Sequence, residues 1–288
     1  MPVILGEIRV LTKPLSGVRI LELLFDCLAF SLASSLEPRS SFKSFCMFSW
    51  CFFFTLTFLI LLVDFVQFQS IIPVSWKNLP ITVASLGALM CIGSSAGFPL
   101  FMQEGRKEPK AIGATVCSCL AFMAYVMEVN LIRHQGREQR GYMASMPGLL
   151  KVFQVFSGCA MIFLFSSQCQ MPDFAKETSW LFWFSAANKL LCFLMSLGTI
   201  LVVLGDCVSH CPLPFDRLLV SFCSLAVLLY IIVAVECITK ILVMPAERVE
   251  LSDPTRALPF IETITACLTL LAYTVDLAFS VKLLCDHA

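Results

Sequence analysis

The chain has 288 residues, 58% of them hydrophobic and only 14% charged, and its 20 basic and 20 acidic side chains cancel. Soluble domains carry about 25% charged residues, so this composition, with a mean hydropathy of +0.86, excludes an ordinary soluble protein. A net charge of zero leaves no electrostatic footprint for nucleic acid.

The N-terminal stretch MPVILGEIRVLTKP lacks the basic start, long apolar middle and small-residue cleavage site of a signal peptide. The first apolar span is therefore expected to serve as the insertion signal. Eight such spans can be marked: 18–36, 45–68, 79–102, 111–132, 148–168, 180–205, 218–243 and 260–284. A helix needs roughly 17–25 apolar residues to cross a bilayer, and all eight qualify by length. Strand-type alternation is missing, so helices rather than a barrel must satisfy the backbone. The tails and connections are too short to bury a core of their own.

Along the chain, the first span begins VRILELLFDC (18–27) and holds Arg19, Glu22 and Asp26. The third contains IGSSAG (92–97), where Gly93 and Gly97 lie four apart and let helix backbones approach closely, within one bundle more readily than between subunits. The fourth carries CLAFMAYVME (119–128), ending on Glu128. The connection RHQGREQRGYMASMP (133–147) is the most basic and polar of all. The fifth span contains LKVFQVFSGC (150–159), and the eighth contains CLTLLAYTVD (267–276), ending on Asp276.

These segments form an internal repeat. Arg19, Glu22 and Cys27 recur as Lys151, Gln154 and Cys159; Tyr125 and Glu128 recur as Tyr273 and Asp276. The reading is an all-α integral membrane protein of eight transmembrane helices, arranged as two tandem four-helix bundles. Its parts are an N-terminal tail (1–16), a first domain (17–132), a basic linker (133–147), a second domain (148–285) and a C-terminal tail (286–288). An even number of spans per half gives the halves parallel orientation and puts both termini on one side. The basic linker favours the cytoplasm for that side.

Catalytic patterns are few. His134, His210 and His287 all lie outside the spans, and HExxH, a P-loop and GxSxG are missing. CVSHC (207–211) offers Cys207, His210 and Cys211 without an evident fourth ligand. Cys207, Cys211 and Cys285 read instead as candidates for reversible palmitoylation, and most of the 15 cysteines as reduced packing residues within spans. No catalytic residue, cofactor or metal is expected. The four tryptophans, Trp50, Trp76, Trp180 and Trp183, suit an interfacial belt.

Glu22, Asp26, Asp64, Glu128, Lys189, Glu236 and Asp276 lie within spans, and intramembrane charges suggest transport by default. Against that, prolines fall in tails, loops or span ends, whereas transporters commonly break helices at the midplane. A transporter or channel subunit using intramembrane carboxylates is the alternative.

SFCMFSW (44–50), SWKN (75–78), AYVMEV (124–129), YMASMPGLLKVFQ (142–154), PFDRLLV (214–220), LAVLLY (225–230) and AYTVDLAFS (272–280), set in paired four-helix halves, resemble the myeloid-associated differentiation marker family. The resemblance covers nearly the whole chain from about Gly17 and implies two tandem MARVEL domains and cytoplasmic termini. It also implies a non-enzymatic role in organising membrane domains, junctions or vesicle membranes. The connection MQEGRKEPK (102–110) departs from the family: it is short and lacks cysteine.

The expected function is lateral association, with membrane lipids including sterol-rich domains and with other membrane proteins or further copies of the chain, in the plasma membrane or vesicle membranes. Within each bundle, Arg19 is expected to pair with Glu128 and Lys151 with Asp276, clasping the first helix to the fourth.

Overall fold

A computed structural model describes residues 13–36, 40–67, 73–101, 108–134, 141–169, 180–206, 215–243 and 254–286. Those residues form eight α-helices: α1 (Pro14–Ser34), α2 (Ser41–Val66), α3 (Leu79–Phe101), α4 (Pro109–His134), α5 (Met146–Cys169), α6 (Trp180–Leu204), α7 (Phe215–Val243) and α8 (Pro254–Asp286). A short 3-10 turn (Tyr142–Ala144) precedes α5. The chain divides into two compact units, Met1–Ser145 and Met146–Ala288, with four helices in each.

Several helices begin before the apolar spans do, because a helix start is set by backbone chemistry rather than hydropathy. Proline opens α1, α4 and α8 at Pro14, Pro109 and Pro254, where its missing N–H is no loss. Ser40 caps α2, its side chain accepting from the Lys43 N–H at 3.1 Å. The run from Pro254 to Pro259, read as connection, belongs to α8. Seven of the eight helices are long and apolar enough to cross a membrane. The exception is α1, whose Arg19, Glu22 and Asp26 are all buried against its own bundle.

Within each unit the helices close a ring in chain order. In the first, α1 packs on α2 and α4, and α3 on α2 and α4; in the second, α5 packs on α6 and α8, and α7 on α6 and α8. This is up-down-up-down bundle topology with short connections.

Lipid is as apolar as leucine, so hydrophobicity cannot tell a helix which face to turn inward; small and polar residues can. The buried stripe of α4 is Ala111, Ala114, Ser118, Ala121, Ala124–Tyr125, Glu128 and Ile132, spaced by three and four as one helix face requires. On α2 it is Phe42–Lys43, Cys46, Ser49–Trp50, Phe53, Thr57 and Ile60. The outward faces carry Leu24 and Leu28 on α1, Phe48, Phe52 and Phe58 on α2, and Leu194 and Leu201 on α6, all exposed in the isolated chain.

Trp50 does not stand in an interfacial belt. It is 1% exposed and donates from Nε1 to Ser118 Oγ at 3.1 Å. Its position on the inward stripe of α2 outweighs its distance from the helix end. Trp180 and Trp183 do face outward, at 73% and 56% exposure.

Gly97 is buried against α2 of the same bundle: a Cβ there would lie 2.3 Å from Phe42 Cζ. Gly93, one turn earlier, is half-buried.

Candidate functional site

Each unit holds a buried ionic cluster near one end of its bundle, built from the start of its first helix and the end of its fourth. In the first unit Arg19 is 2% exposed and reaches two acids on different helices. Its Nε donates to Glu128 Oε1 on α4 at 2.6 Å, and an Nη donates to Asp64 Oδ2 on α2. The other oxygen of Asp64 accepts from Trp76 Nε1 at 3.0 Å. The planar guanidinium fork serves two carboxylates at once.

Two further acids of α1 continue the stripe. Glu22 lies one turn beyond Arg19 on the same face of α1, fully buried, and its carboxyl interacts with that of Glu128. Asp26, also fully buried, accepts from Tyr125 Oη at 2.7 Å and from Cys91 Sγ at 3.6 Å. Tyr125 Oη lies 3.3 Å from Thr57 Oγ1, which links α1 and α4 to α2.

In the second unit Lys151 and Asp276 are both buried and form an ion pair between α5 and α8. Asp276 Oδ2 also accepts from Gln154 Nε2 at 2.8 Å and from Cys223 Sγ at 3.2 Å. The Lys151 ammonium stands 5.1 Å from the centroid of the Phe222 ring, within cation–π range. Tyr273 Oη lies 2.6 Å from Ser196 Oγ and donates to the Cys192 carbonyl at 3.3 Å.

The structure thus brings together Arg19 with Glu128 and Lys151 with Asp276. It adds partners the sequence reading did not assign. Asp64 was visible as an intramembrane acid but not as a ligand of Arg19. Lys189 pairs with Glu262, which also accepts from Gln168 Nε2 at 2.7 Å. Glu262 is a lone acid at the start of an apolar run, and that isolation was the available signal. Glu236 pairs with Lys240 one turn away at 2.9 Å. Cys285 is exposed near the end of α8; Cys207 and Cys211 lie outside the described residues.

Chemically most of these groups partner one another inside the helices, Glu22 excepted. A carboxylate in an apolar medium is costly unless paired and hydrogen-bonded. Asp64, Glu128, Asp276 and Glu262 each have a base and, in Asp64, Asp276 and Glu262, a neutral donor as well.

A bundle of apolar-faced helices tied by inward charges is a polytopic membrane protein, and residues 10–131 match the MARVEL membrane-associating domain. The mouse myeloid-associated differentiation marker is 36% identical, over 96% of this chain and 92% of its own length. The human protein of that name is 40% identical over 80% of this chain and 71% of its own length. Mouse myeloid-associated differentiation marker-like protein 2 is 29% identical over 94% and 92%. The chain belongs to the myeloid-associated differentiation marker family. No solved structure matches it.

Proposed function

We propose that this protein is a non-enzymatic membrane organiser that acts by lateral association with lipids and with other membrane proteins or further copies of itself. The observation that carries the reading is the division of labour on its helices. Ionic side chains turn inward and most bind one another, while Leu28, Phe52, Phe58, Leu194, Leu228 and Leu271 present an aliphatic and aromatic surface outward. Such a surface suits lipid chains and neighbouring helices. In this reading the second unit is a further MARVEL-like domain, supported by the repeated motifs and by an ionic cluster at the corresponding helix positions. The basic residues of the linker, Arg133, Arg137 and Arg140, support cytoplasmic termini, and the plasma membrane or vesicle membranes are the proposed location. Sterol-rich domains are among the lipid environments proposed.

One observation favours the alternative of a transporter or channel subunit: Asp26, fully buried about halfway along α1 and bonded to Tyr125 and Cys91. Reconstitution separates the two. Labelled protein in liposomes of plasma-membrane composition should show energy transfer between copies above random mixing, and no ion or metabolite flux above empty vesicles. A saturable flux abolished by Asp26→Asn would overturn the organiser reading. Epitope tags on both termini should be reached by antibody only after permeabilisation.

A further inference from the structure

The two units hold the same motif with one informative exchange. In the second, Gln154 sits one turn after Lys151, and its amide N–H is donated to Asp276 Oδ2 at 2.8 Å. In the first, Glu22 sits one turn after Arg19 and its carboxyl meets that of Glu128, the residue repeated as Asp276. An amide carries its own hydrogen; a carboxylate carries none. Neither Oε1 nor Oε2 of Glu22 receives a hydrogen bond from any N–H or O–H among the described residues, and the side chain is 0% exposed.

Among the described residues, the polar neighbours are engaged elsewhere. Arg19 on α1 is committed to Glu128 and Asp64. Asp64 on α2 is held by Arg19 and Trp76. Cys91 on α3 and Tyr125 on α4 direct their hydrogens to Asp26, the next acid on α1. One guanidinium therefore stands among four buried or half-buried carboxyl groups, Glu22, Asp26, Asp64 and Glu128. Two carboxylates in contact cannot both keep their charge in such a place.

We propose that Glu22 and Glu128 form a proton-binding site, in which Glu22 carries the proton as a neutral acid and donates it to the Glu128 carboxylate. A protonated glutamate has the shape and the donor of glutamine, so the first bundle reproduces with a bound proton the bond that Gln154 makes permanently in the second. Release of the proton to water leaves two facing carboxylates between α1 and α4 with one base between them, and so loosens that contact. The Asp64 side chain, bound to the same Arg19, is 16% exposed. Proton dependence belongs to the first unit alone in this scheme, and it holds whether or not the protein works by lateral association.

Infrared spectroscopy of the full-length protein in lipid nanodiscs at neutral pH tests it. The wild type should show a protonated-carboxyl C=O stretch that shifts in D2O. In the difference spectrum against Glu22→Gln that band should be lost, while Glu22→Gln keeps the wild-type unfolding temperature. Gln154→Glu should gain a second band of the same kind. An unchanged band in Glu22→Gln, a Glu22→Gln protein that fails to fold, or no gain in Gln154→Glu would each overturn the proposal. So would stabilisation of the wild type by Na⁺ or Ca²⁺ that Glu22→Gln abolishes, since a cation would then occupy the pair.

Discussion

In the first bundle a guanidinium holds two carboxylates, Asp64 from α2 and Glu128 from α4, so α1 is tied to both of its neighbours through one side chain. In the second an ammonium holds one carboxylate, Asp276 from α8, and shares it with an amide on its own helix and a thiol on α7. The difference follows from the side chains. Arginine presents a rigid fork with five donors, lysine a compact charge on a flexible stem. Where the base is lysine, an amide and a thiol join it on one oxygen of the acid; where it is arginine, a second acid is recruited. The second unit spreads its ionic ties instead, with a further Lys189–Glu262 pair elsewhere on α6 and α8.

The sharpest way to break this comparison is to remove each base. Arg19→Met strands two acids on two helices, and a buried charge left without its partner costs about 3–5 kcal/mol, less where proton uptake relieves it. Lys151→Met strands one acid, which keeps Gln154 and Cys223. Thermal unfolding in nanodiscs should therefore fall further for Arg19→Met than for Lys151→Met; the reverse order would contradict the account.

Charge reversal sharpens it. Lys151→Glu sets two acids against each other and should reduce surface delivery, and adding Asp276→Lys should partly restore it. The coupling recovered should be modest, about 0.6 kcal/mol and not much above 1.7, as measured for polar contacts between membrane helices. No rescue would count against pairing.

Packing gives a further contrast. Gly97→Ala in the first unit drives a Cβ to 2.3 Å from the Phe42 ring, and Gly158→Ala in the second reaches 2.8 Å from that of Phe193. Overpacking of this kind costs about 1–3 kcal/mol, with Gly97→Ala the more damaging, while Gly198→Ala, inside α6 with nothing within 4 Å, should be neutral to slightly stabilising. Trp50→Phe, which removes the bond to Ser118, should cost about 1 kcal/mol in the same melt.

Much of this architecture was legible because apolar runs of bilayer length are hard to mistake, and because an internal repeat marks positions that recur for a reason. With four helices per unit, the start of the first and the end of the fourth return to one end of the bundle. That was enough to single out Arg19, Glu128, Lys151 and Asp276, which the structure brings together. What the sequence left obscure was angle rather than depth. Asp64 lies at the right depth for Arg19, but only the rotation of α2 shows that it faces it. Trp50 was misread for the same reason: its nearness to a helix start suggested the interface, while its place between Cys46 and Phe53 on the inward stripe put it in the core. Glu262 was passed over because the repeat does not mark it, its counterpart in α4 being Ala114, and its partner is 73 residues away on another helix.

The central claim is that each bundle is closed by a base on its first helix held to an acid on its fourth. A density map of the protein in lipid nanodiscs, at side-chain resolution, tests it most directly. The account predicts Arg19 on Glu128 and Lys151 on Asp276 at hydrogen-bonding distance in both units. A basic nitrogen farther than about 6 Å from its acid in both, beyond the range of useful pairing, would contradict it.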